Sequence, residues 1–148
     1  MTPSLSTSTR YMLPTGLPEL HQQTNEWRSD LGLWKQELAF FGRLIDQYGK
    51  DLCLRDEIRE LNHFRFLLNY YSSDLMNSLA ARIGNHEVHL GLLMKELERQ
   101  DESGYRTEHN ALARQVQAFE QEYLCFKNEL YGLLEKALNR SKTKMEQA

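Results

Sequence analysis

Apolar residues recur along this chain at alternating intervals of four and three, in three separate runs. The first comprises Trp27, Leu31, Trp34, Leu38, Phe41, Ile45 and Tyr48. Such spacing keeps one stripe on one side of an α-helix and fits a helix–helix seam. Pro18 suits the first helical position, where a missing N–H is harmless, and Gly49 follows the last stripe residue as a C-terminal cap. The pattern predicts helix one over residues 18–48.

After Lys50-Asp51 the rhythm resumes at Leu61, Phe64, Leu68, Tyr71 and Leu75. Leu79 and Ile83 then follow at four and four, before His86, Leu90, Leu93 and Leu97 restore the alternation. That stutter locally unwinds a supercoil, and Gly84-Asn85 beside it marks where a kink or break of helix two is expected. Ser103-Gly104 reads as the end of helix two, and Thr107 as the N-cap of helix three. The third stripe is Leu112, Val116, Phe119, Tyr123, Phe126, Leu130, Leu133 and Ala137.

Three long helices on short linkers predict an all-α, elongated, antiparallel three-helix bundle running up, down and up. Residues 17–140 form its single domain, and residues 141–148 a frayed basic tail. Residues 1–16 read as a disordered leader, because 1–18 hold seven Ser/Thr, three Pro and one charge, Arg10. Within the leader, Tyr11, Met12 and Leu13 are apolar enough to dock near Leu90–Leu93. If Tyr48 abuts Arg55 and Gln100 abuts Thr107, helix three ends short of the first turn. Residues 38–48 and 55–65 are then a two-helix tip with exposed apolar width. Its expected interface is Leu38, Phe40, Phe41, Leu44, Ile45, Tyr48, Ile58 and Leu61.

Composition narrows the function classes. A chain of 148 residues with 41% hydrophobic and 26% charged residues is one globular domain. Its formal net charge of -3 argues against nucleic acid as a partner. Phe64-Arg65-Phe66 does interleave aromatics with a cation, but Phe64 already belongs to the helical stripe. No run of 18 apolar residues exists, so no membrane insertion is expected. Only Cys53 and Cys125 are present, without metal-ligand or nucleophile spacing, which fits the reducing cytoplasm. Walker, GxGxxG, HExxH and GxSxG motifs are absent, so neither an enzyme nor a cofactor is expected.

Two short turns carry a resemblance. Trp34, Glu37, Leu38 and Phe40 form a W-x-x-E-L-x-F turn, and Glu60, His63 and Phe64 open an E-x-x-H-F turn. Together they resemble a group of small uncharacterised bacterial helical proteins, although Phe66 falls one position earlier here than in that group. The resemblance implies a helical bundle and brings no activity with it.

Two clusters are candidates for metal chemistry. Glu60-x-x-His63 has the i, i+3 spacing of di-iron bundles, with Glu37 about one turn away across the helix pair. His86 and His89 lie beside Glu87; the expected level of helix three opposite His86 is Glu120 or Gln121, with His21 nearby on helix one. The competing assignments are a hydrogen bond between Glu37 and His63 and a polar break in the core at His86. The function expected from the sequence is a non-catalytic interaction or scaffold protein that pairs with itself or with another helical protein through the apolar tip. A zinc- or di-iron-like metal-binding bundle is the alternative.

Overall fold

The computed structural model describes residues 16–95 and 102–147. The leader expected over 1–16, with its docking triplet Tyr11, Met12 and Leu13, lies outside these residues apart from Gly16, as does Leu97. Helix α1 spans Leu17–Tyr48, with Pro18 in its first turn. Its stripe is buried from Trp27 to Ile45, Leu38 being wholly inaccessible. Gly49 does not cap α1 in a left-handed conformation: its φ is -61°, and it opens a 3-10 turn over Gly49–Asp51. What the glycine supplies is close approach, since a Cβ there would meet Leu61 Cδ2 at 3.1 Å.

Helix α2 spans Arg55–Asn69, and α3 spans Met76–Met94. Between them Tyr70–Leu75 form a π-helical turn with helical backbone at both junctions, so 55–94 is one continuous rod. The irregularity expected at Gly84-Asn85 is therefore found earlier. A π turn adds one residue without breaking the rod. Buried positions step from Tyr71 to Met76, five residues, while Leu75 is only partly buried. Downstream, Ile83 and His86 stay buried on either side of Gly84, whose α-helical turn is continuous.

Helix α4 spans Glu102–Gln147, and no strand occurs among the described residues. Ser103 and Gly104 do not end a helix, and Thr107 does not begin one. The Thr107 hydroxyl donates to the Ser103 carbonyl one turn back at 3.0 Å, as mid-helix threonines do. Buried Tyr105 and His109 extend the core stripe backward from Leu112. The α3–α4 connection thus runs from Met94 to Glu102, not from Gln100 to Thr107, which moves α4 along the second rod by several turns.

Pairs across the helices fix their directions. Arg28 meets Glu87 and Asp46 meets Arg65, each at 2.8 Å, so α1 and the second rod are antiparallel. Tyr71 bonds Glu122 and His86 bonds Glu108, so the second rod and α4 are antiparallel as well. Gln23 meets His109 and Glu37 meets Tyr123, so α1 and α4 run parallel.

The displaced register overturns the two-helix tip. The helix does not stop near Arg140 but continues to Gln147. Arg140 pairs with buried Glu57, and Lys144 with buried Asp51 at 3.2 Å. Leu38, Phe41, Ile45 and Leu61 are closed off in one core with Leu130, Leu133 and Ala137.

Candidate functional site

Two regions stand apart from this apolar core. The first is a polar chain through the bundle at the Gly16 end. His86 and His109 occupy stripe positions of α3 and α4 and are almost wholly buried. His86 Nδ1 lies 3.0 Å from Glu108 Oε1, and His86 Nε2 lies 2.9 Å from His109 Nδ1. His109 Nε2 in turn lies 2.7 Å from Gln23 Oε1 on α1. Aromatic faces hold both rings: Tyr105 stacks parallel on His86 at 4.1 Å, and Trp27 on His109 at 4.7 Å.

The proton count of this chain decides its charge. Three hydrogen bonds need three protons, and two neutral imidazoles supply two. With the Gln23 oxygen toward His109, the chain holds one proton more, as an imidazolium facing Glu108. Turning the amide presents its NH2 group instead, and the chain is then complete with both rings neutral. Burial favours the neutral rings. It lowers the pKa of His86 against the opposing pull of Glu108, and with the charges of His86 and Arg106 it lowers His109 to about 4.

The metal candidates do not converge around this chain or elsewhere. Glu37 lies on the α4 side of α1, where it accepts from the Tyr123 hydroxyl at 3.0 Å and pairs with Lys127 at 3.6 Å. Glu60 and His63 are exposed on α2, so the expected Glu37–His63 bond does not form. His63 lies beside the Phe64 ring of its own helix. His86 faces Glu108 and His109 rather than Glu120 or Gln121, because of the register displacement. His89 packs edge-on against Tyr105, Glu87 pairs with Arg28, and His21 contacts Asn25. Among the described residues, no group of three or more His, Cys, Asp or Glu is placed to hold a metal ion.

The second region is an apolar face along α1 and α4. The residues expected at the interface divide: Leu38, Phe41, Ile45 and Leu61 lie inside the core, Leu44 and Tyr48 at its edge, and Phe40 and Ile58 in solvent. Phe40 has company. On α1, Leu33 lies seven residues before it; on α4, Leu124, Tyr131, Leu138 and Met145 repeat every seven residues, all exposed. Seven residues is nearly two turns, so each set makes a line along its helix. Contacts of Glu37 with Lys127 and of Phe41 with Tyr131 bring the two lines to the shared α1–α4 groove. Sequence reasoning missed the α4 line because the core stripe accounted for that helix already. It missed His109 because the stripe was not carried back beyond Thr107.

No protein-family model, curated protein or solved structure matches this chain.

Proposed function

We propose that this chain is a non-catalytic helical interaction module whose α1–α4 face takes up a further helix. One observation carries the reading: large apolar side chains repeat at seven-residue spacing on two adjacent helices, outside a core that is already closed. A lone exposed leucine means little, but large apolar side chains aligned on two adjacent helices point to a partner site. An amphipathic helix laid in the groove would complete a four-helix arrangement. The free, exposed thiols of Cys53 and Cys125 suit a reducing compartment, so we place this activity in the cytoplasm.

The test uses a fluorescein-labelled peptide of residues 120–147, which carries the line from Leu124 to Met145. It should bind the full chain, and Phe40→Glu with Leu44→Glu should abolish binding without loss of helical content. A peptide that does not bind, or that binds the variant equally, overturns the reading.

A further inference from the structure

Gly32 on α1 and Gly84 on α3 leave an opening in the groove between the two helices. A Cβ built on either would meet no atom within 4 Å, and neither has a positive φ. Neither a turn nor a close approach therefore calls for glycine here, and inside a helix glycine is poorer than alanine. What the two absent side chains leave is a shallow cavity of about 250 Å³. Its floor is apolar. Leu31 and Ile83, each one residue before a glycine, are 4% and 1% exposed and belong to the closed core.

The two ends of the cavity differ in charge. Each helix lines it at positions i, i+3, i+4 and i+7, from Arg28 to Lys35 and from Ala80 to Glu87. Arg28 meets Glu87 at 2.8 Å, so in this antiparallel pair Lys35 comes to the level of Ala80. One end is thus closed by a neutralised pair, while the other carries a cation opposite an alanine. Among the described residues Lys35 has no ion-pair partner. The cavity therefore holds one uncompensated positive charge, at one end.

An apolar floor with a single cation at one end suits a ligand with an apolar tail and an anionic head. Seven residues at 1.5 Å each separate the ends by about 10 Å, the reach of an extended chain of about eight carbons. An apolar cavity of about 150 Å³ already takes up benzene, so the space suffices as well. A tail over Leu31 and Ile83 would leave water, flanked by the aliphatic stems of Arg28 and Lys35. A cationic head would be repelled at Lys35, and an uncharged one would leave the ammonium without its counter-ion. We propose that the α1–α3 cavity binds a medium-chain carboxylate, its tail lying between the two glycines and its head on the Lys35 ammonium. The α1–α3 groove is separate from the α1–α4 face, so this site does not depend on the interaction reading.

The experiment follows the amide resonances of the full chain in proton–nitrogen correlation spectra as octanoate is added. Gly32 and Gly84 should shift together and saturate in the millimolar range, as expected of a small ligand in a shallow site. Octanol, with the same tail and no charge, should bind several-fold more weakly, and octylammonium more weakly still. Lys35→Gln should bring octanoate down to the level of octanol and leave octanol itself unchanged. Lys35 is exposed, so this variant keeps the fold and tests the charge by itself. Gly84→Leu should fill the cavity and abolish the octanoate shift at Gly32, with helical content retained. Octanoate and octanol binding equally well would overturn the proposal, as would the absence of saturable shifts at Gly32 and Gly84. Unchanged octanoate binding by Gly84→Leu would overturn it too, because the ligand would then be adsorbed on apolar surface elsewhere.

Discussion

Tyr71 and Met76 are five residues apart on one continuous helix, and both point into the core. Four residues would be the ordinary step, and that position is Leu75, which is only partly buried. The π turn supplies the additional residue, and Ser73 helps to hold it by donating to the Asn69 carbonyl at 2.6 Å. Met76→Ala should therefore cost about 2–5 kcal/mol, as for a fully buried side chain, and Leu75→Ala on the order of 1 kcal/mol. Urea denaturation of the two variants checks the phase. Equal losses would mean that the rod is an unbroken α-helix with Leu75 inside.

The three rods were legible in the sequence because a stripe of alternating four and three specifies its own helix, as Trp27 to Tyr48 shows. The π turn was not. Leu75 and Met76 are both apolar, so either could continue from Tyr71, and only backbone hydrogen bonding separates them. Gly84-Asn85 drew attention as a breaker, yet a glycine on the exposed side lowers helix stability by only about 1 kcal/mol, less than the burial of flanking Ile83 and His86 contributes. The end of the second helix was misjudged in the same way. Ser103-Gly104 resembles a turn, but Tyr105 buried against His86 anchors these residues to α4. That misreading moved the register, which hid the Glu108–His86–His109–Gln23 chain and left the Asp51–Glu57 end apparently uncovered.

The buried imidazoles should make the fold sensitive to mild acid. His109 titrates near 4 in the folded chain and near 6.5 when unfolded, so between these values the unfolded chain binds more protons. Stability is complete above pH 6.5, falls as the pH drops, and levels off below about 4. At about 1.4 kcal/mol per pH unit over these two and a half units, the loss attributable to His109 is on the order of 3.5 kcal/mol. His86 is shifted in the same direction and adds to it, moderated by Glu108. Urea midpoints between pH 8 and pH 4 should show this slope, and His109→Leu should flatten it. A variant with the wild-type slope would place the titrating group elsewhere.

A second acid response belongs to the opposite end. The hydrogen bond from Arg140 holds the Glu57 carboxyl below its ordinary range, and the Leu54 N–H assists. The sign differs in origin from that of the histidines: here the folded state prefers the carboxylate, so its contribution is present above pH 4.5 and lost below it. Arg140→Met should lower the thermal midpoint at neutral pH, because buried Glu57 loses its cation, and should weaken the further loss below pH 4.5. Ending the chain after Asn139 should have a larger effect, since Asp51 then loses Lys144 as well. A truncated chain with the wild-type midpoint would show that the last two turns of α4 do not cover this end.

Gly32 and Gly84 face each other across the α1–α3 groove and line a shallow cavity of about 250 Å³ together with Leu31, Ile83, Arg28 and Glu87. Both sit in the interior of α-helices, where glycine is poorer than alanine by about 1 kcal/mol because it gives up more backbone freedom on folding. An added Cβ meets no atom within 4 Å at either position. Neither backbone strain nor crowding therefore opposes substitution, in contrast to Gly49, where Leu61 would have to yield. Gly84→Ala should raise stability by about 0.5–1 kcal/mol, and Gly32→Ala by a similar amount. The sites share a cavity, so the double variant tests additivity as well; without mutual contact the two gains should sum. A destabilised Gly84→Ala would mean that α3 bends at Gly84 in solution, where the structure has it running straight through.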